Sequence, residues 1–150
     1  MSMQGHNCRV VLDTNVIVGA GSRWLDYPVL AANRTFCLRV VIRVLEAHTG
    51  IFCEKIVREY ALILLERNHP EDRARRLITY LMGAFTKISI TSASAPTPPA
   101  DPDDEVFLLC AIDGNADYLV SEDRDLTDLK ASYARPVIGR SEELAVPLGA

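Results

Sequence analysis

The feature that most constrains this chain is a short apolar run that stops at an acid. Arg9-Val-Val-Leu12 runs directly into Asp13-Thr14-Asn15. A brief run of branched apolar residues without polar alternation fits a strand covered on both faces, as in a parallel sheet. The acid then falls at the carboxyl end, where open α/β sheets bind their ligands. The pattern returns late in the chain, where Ala116-Asp-Tyr-Leu-Val-Ser121 is followed by Asp123. Parallel strands need crossover segments, usually helices, so the intervening sequence must supply them.

The intervening sequence has the required helices. A short helix or turn begins at Val16-Ile-Val18, and 19–23 breaks it. The stretch 24–32 is apolar enough for a helix apart from Pro28. Leu38, Val41, Ile42 and Leu45 recur at helical spacing over 36–48, with a cap from 33–35 and a stop at Thr49-Gly50. Gly50-Ile-Phe-Cys53 reads as a strand, then 54–67 and 71–84 as amphipathic helices. Thr86-Lys-Ile-Ser-Ile90 alternates like a strand. The proline-rich 91–102 is an extended connection, and 103–112 a helix with acids in its first turn, where the helix dipole favours them. Asp113-Gly114-Asn115 stops that helix. A short helix over 123–129, a strand at Arg135-Pro-Val-Ile138 and a capped helix from Ser141 complete the pattern. The expectation is one α/β domain spanning 1–150, with its core over about 9–145.

Composition narrows the class. The chain has 150 residues, of which 49% are apolar and 24% charged, a globular balance. No apolar run reaches a membrane-spanning length, so no membrane is expected. Met1 to Arg9 lacks the apolar centre of a signal peptide. Cys8, Cys37, Cys53 and Cys110 form no Cys-x-x-Cys pair, which argues against zinc and for small buried thiols in a cytoplasmic protein. His6, His48 and His69 lie far apart near polar or turn segments and are expected at the surface. The formal charge of -4 argues at first against a nucleic-acid partner.

The acids carry the chemistry. Asp13 and Asp123 follow strands, Asp104 and Glu105 open a helix after the proline segment, and Glu59 lies in a helix among apolar neighbours. Each has a plainer reading. Asp13 would be a turn residue, Asp103, Asp104 and Glu105 caps only (the preferred reading for Asp103), Glu59 a solvent-facing side chain, and Asp123 and Asp125 loop acids. If the acids converge, their mutual repulsion needs a cation. Oxygen clusters of this kind suit Mg²⁺ or Mn²⁺ rather than zinc. Such an ion can activate water and stabilise a phosphodiester under attack. Thr14, Asn15 and Ser121 stand beside them as supporting residues that orient water, ligand or phosphate.

These motifs together resemble the PIN-domain family. The resemblance rests on Val10-Val-Leu-Asp13-Thr-Asn-Val16, Val57-Arg-Glu59-Tyr60, Asp101-Pro-Asp-Asp104-Glu-Val-Phe-Leu108 and Ala116-Asp-Tyr-Leu-Val-Ser-Glu-Asp123-Arg-Asp-Leu126. Within that family the chain is most similar to toxin components of toxin–antitoxin systems related to the VapC toxins. The resemblance implies a five-stranded parallel β-sheet flanked by α-helices. It also implies Mg²⁺- or Mn²⁺-dependent ribonuclease activity through a catalytic and metal-binding quartet: Asp13, Glu59, Asp104 and Asp123. Glu105 is the alternative third acid. Implied partners are an RNA substrate, a small antitoxin that blocks the acidic site, and a second copy in a homodimer. Two departures stand out: the segment 19–49 is longer than the family's usual link, and Glu122 stands where the family often has Gly.

Two rivals belong to other classes. One is a catalytically silent PIN-like module that binds RNA or protein. The other is a phosphatase using Asp13 as nucleophile, in the manner of haloacid-dehalogenase-like enzymes. It lacks the second acid of that family's first motif, since Asn15 stands there. The charge distribution removes the early objection to nucleic acid. Residues 101–128 hold ten acids and one base, whereas 34–76 hold nine bases against six acids. The pattern is an acidic cleft beside a basic face.

Overall fold

The computed structural model describes residues 7–150. The leader reading of Met1 to Arg9 falls mostly outside these residues, and the surface placement of His6 falls wholly outside them. The sheet contains β1 (Arg9–Leu12), β2 (Thr49–Phe52), β3 (Thr86–Lys87), β4 (Tyr118–Val120) and β5 (Val137–Gly139). All pairings are parallel, in the order β3-β2-β1-β4-β5. β1 and β4 lie at the centre, with Leu12 opposite Val120, so both acid-terminated runs end side by side. Val10, Val11, Leu12, Leu119 and Val120 are fully buried, which explains why these strands do not alternate.

Among the described residues seven helices flank the sheet: α1 (Thr14–Ala20), α2 (Phe36–Ala47), α3 (Glu54–Glu66), α4 (Glu71–Ala84), α5 (Glu105–Asp113), α6 (Arg124–Thr127) and α7 (Ser141–Leu148). α1 packs on α2 and α3, α3 on α4, and α2 on α7, while α5 lies against β1, β2 and β4. Thr35 caps α2 by accepting the Leu38 N–H. Among the described residues no helix is long and apolar enough to cross a membrane.

Several boundaries differ from expectation, each for a local reason. The stretch 24–32 forms no α-helix; it holds two 3₁₀ turns, Arg23–Leu25 and Ala31–Asn33. Pro28 lacks an N–H and pushes its predecessor out of the helical region. α1 runs through Gly19 and ends at Gly21, whose φ of 76° suits glycine. Thr49-Gly50 opens β2 instead of stopping a helix, and a Cβ at Gly50 would overlap the Phe85 ring. β3 pairs over two residues only and the chain then leaves the sheet, so the expected strand to Ile90 is cut short. α5 starts at Glu105, after a 3₁₀ turn over Pro102–Asp104.

The histidines also differ from expectation. His48 is half-buried; its Nδ1 accepts the Cys8 N–H and its Nε2 bonds the Leu148 carbonyl, tying the residue before β1 to the C-terminal helix. His69 is half-buried against the Ser22 hydroxyl. Cys8, Cys53 and Cys110 are buried, and Cys37 is half-buried.

Candidate active site

Asp13 is the hub. It ends β1 and caps α1, so its carboxylate meets the helix's first N–H groups, where an anion is favoured. Oδ1 accepts the Thr14 N–H at 2.7 Å; Oδ2 accepts the Ser121 hydroxyl at 2.6 Å and the Asn15 amide at 3.1 Å. Asp13 is only 4% exposed. Burial pushes its pKa up to about 6, despite the lowering hydrogen bonds from Ser121 and Thr14, and the charges of Glu59 and Asp123 raise it further.

The three supporting residues join Asp13 to the other acids. The Thr14 hydroxyl donates to Glu59 Oε2 at 2.7 Å, which points this α3 side chain to the end of β1. Ser121 accepts the Asp123 N–H at 2.9 Å while donating to Asp13. Asn15 donates to Asp13 and accepts the Glu122 N–H at 3.0 Å, clamping the turn after β4. Asp123 caps α6 by accepting the Asp125 N–H. Beneath them, the fully buried Tyr60 donates its hydroxyl to the Leu12 carbonyl, fixing α3 to the strand end.

Asp104 closes the arrangement from the turn before α5. Its Oδ2 is buried and faces no hydrogen-bond donor. Burial, then the charges of Asp123, Asp13 and Asp101, push its pKa up to about 7. Asp13, Glu59, Asp104 and Asp123 all line one open cleft of about 390 Å³. Glu105 lies outside this cleft; its carboxylate accepts the Ala95 N–H and anchors the proline-rich segment. Asp103 does not act as the expected cap, because Asp101 accepts the Asp103 N–H. Glu122, beside Asp123 in sequence, is held by the Ser141 N–H and does not line the cleft.

The structure adds residues that the sequence reading did not place in the site. Asp101, Asp104 and Asp125 offer carboxylate oxygens within 4.8 Å of one another. Arg67, at the end of α3, lines the same cleft. The one-turn spacing of Asp101 and Asp104 was a usable signal for the first; nothing local marks Arg67. Hard carboxylate oxygens, one of them buried without a donor, fit a small divalent cation. Burial first, and then the charges of the neighbouring acids, raise Asp13 and Asp104, and positive charge at the cluster would relieve both.

A protein-family profile described as "PIN domain" matches residues 9–125. This chain belongs to the PIN-domain family. Among solved structures, it resembles VapBC2 from Rickettsia felis, described as bound to a DNA fragment from their promoter. The TM-score is 0.52 at 9% identity, covering 88% of this chain and 98% of that one, which is a likeness of fold. No curated protein matches the sequence. The matched PIN-domain region contains all four acids of the cleft.

Proposed function

We propose that this PIN domain is a Mg²⁺- or Mn²⁺-dependent endoribonuclease and the toxin component of a type II toxin–antitoxin system. The observation that carries the reading is the convergence of Asp13, Glu59, Asp104 and Asp123, from four separate elements, on one cleft. These four residues would hold the cation, with Asp104 Oδ2 the oxygen least committed elsewhere. When bound, a divalent cation supplies Lewis acidity and neutralises charge on a phosphodiester. The chain's own residues do the positioning. Thr14 fixes Glu59, and Ser121 and Asn15 fix Asp13. Both Asp13 oxygens are engaged by three donors and buried, which disfavours a nucleophilic, phosphatase-like role.

The resemblance of the motifs to VapC-related toxins supports the toxin reading, as does the fold likeness to VapBC2. A small antitoxin that offers a cation to the acidic cleft is the matching partner. Pairing of two copies through apolar helix faces is a further part of the proposal, and exposed Leu62 and Leu65 on α3 offer such a face. Gel assays on a mixed RNA pool test the activity. Cleavage with Mg²⁺ or Mn²⁺, and none with EDTA or in Asp13→Asn, is expected. A folded wild type that binds RNA but never cleaves it would favour the silent module instead.

A further inference from the structure

Beside the acidic cleft lies a second pocket of about 410 Å³ with the opposite character. The two share Val18 and Arg67 in their linings, so they are adjoining parts of one surface. Arg23, Arg67, Arg73, His69 and Trp24 line the second pocket, and no Asp or Glu among the described residues does. The long 19–49 segment supplies Arg23 and Trp24, and the end of α3 and start of α4 supply the rest.

The pocket is built rather than accidental. The Trp24 indole N–H donates to the Gly21 carbonyl at 2.7 Å, and the ring tilts against Tyr80 with centroids 6.3 Å apart. Its polar edge is satisfied, so the ring is fixed and its remaining use is apolar or stacking contact. His69 is tied to Ser22, and burial followed by the Arg73 charge pulls its pKa down. Arg73 pairs with Asp26 at 3.5 Å. Arg23 and Arg67 have no carboxylate partner among the described residues.

We infer that this pocket is a subsite for a nucleotide of single-stranded RNA flanking the phosphate held at the acidic cleft. The inference rests on the ribonuclease reading and adds the path of the strand. Arg23 lies over the Tyr27 ring at 5.7 Å, and an aromatic ring beside guanidiniums that have no carboxylate partner is the combination that holds single strands, by base stacking and phosphate pairing. Arg67 at the boundary suits a phosphate between the two sites. The volume lies within the usual range for small-molecule sites. A single strand fits and a duplex does not, because stacking on Trp24 needs an unpaired base.

Trp24 is the chain's single tryptophan, so its fluorescence reports the subsite directly. The test adds a short labelled oligoribonucleotide to wild type in EDTA at low salt, following label anisotropy and Trp24 emission together. Cleavage of the same RNA in Mg²⁺ is measured in parallel. Quenching that saturates with the anisotropy is expected. In Arg23→Ser and Arg67→Ser, binding falls about tenfold, and the salt slope falls by about 0.7 for each arginine. Trp24→Leu weakens binding by about tenfold or more. RNA that binds or is cleaved while Trp24 emission stays unchanged overturns the subsite and leaves the nuclease reading standing. Quenching without cleavage keeps the subsite and removes the nuclease reading. Absence of binding overturns the subsite whatever the cleavage result.

Discussion

Asp13→Asn separates what the site costs the fold from what it does. Burial holds the folded Asp13 pKa at about 6 against an ordinary value of 3.8. Each unit is worth 1.36 kcal/mol, so the ionised carboxylate destabilises the cation-free fold by about 3 kcal/mol. Because the folded value is raised, the native state binds the proton more tightly than the unfolded chain. Wild type therefore loses stability as pH rises from about 4 to about 6 and carries the full penalty above that. Asn removes the charge but introduces a conflict. Its carbonyl can keep the Thr14 N–H, whereas its amide faces the Asn15 amide, itself a donor. Ser121 can turn to accept, so the conflict is about one hydrogen bond, or ~1 kcal/mol. The net expectation is a gain of about 2 kcal/mol at pH 8 in EDTA, a rise of about 4–8 °C in Tm. By about pH 4.5 the penalty has shrunk to ~1 kcal/mol and the two proteins converge. Thermal or urea denaturation at both pH values measures this. An Asn variant less stable than wild type at pH 8 would mean that the ionised Asp13 does not burden the fold.

Three further perturbations probe the frame around the site. Tyr60→Phe leaves the buried Leu12 carbonyl without its donor and should cost about 1–3 kcal/mol, read as a lower urea midpoint with unchanged slope. Asp113 accepts the Ser92 hydroxyl and the Ser92 and Thr91 N–H groups, and these bonds, the Ser92 hydroxyl foremost, hold its carboxyl below the usual range. That contribution is present above the ordinary carboxylate value and is lost as pH falls through the lowered folded value. Asp113→Ala should therefore increase amide exchange in 91–95 at pH 7, an increase that fades in acid. Gly50→Ala pushes a methyl into the Phe85 ring and should cost about 1–3 kcal/mol by thermal denaturation.

The sheet centre and the acids at its edge were legible because the sequence encodes them locally. β1 and β4 are unbroken apolar runs, and each is followed within three residues by an acid whose position the strand fixes. α2, α3 and α4 announced themselves by spacing. Glu59 was ambiguous since its orientation depends on a hydroxyl 45 residues away in sequence, Thr14. Asp104 and Glu105 are neighbours with similar chemistry; the bond from Ala95 to Glu105, a tertiary contact, separates them. The stretch 24–32 misled because apolar composition outweighed one proline. Its role as the wall of a basic pocket depends on α3 and α4 packing beside it. His48 was misread for a related reason: its partners Cys8 and Leu148 lie 40 and 100 residues away.

Calorimetric titration of Mn²⁺ into wild type, Asp13→Asn, Asp104→Asn and Glu105→Gln tests whether the four carboxylates form one divalent-cation site. Wild type and Glu105→Gln should bind alike, while the two Asp variants should lose affinity by about tenfold or more. Undiminished binding in Asp104→Asn, or no binding in wild type, would mean that these acids do not hold the cation together.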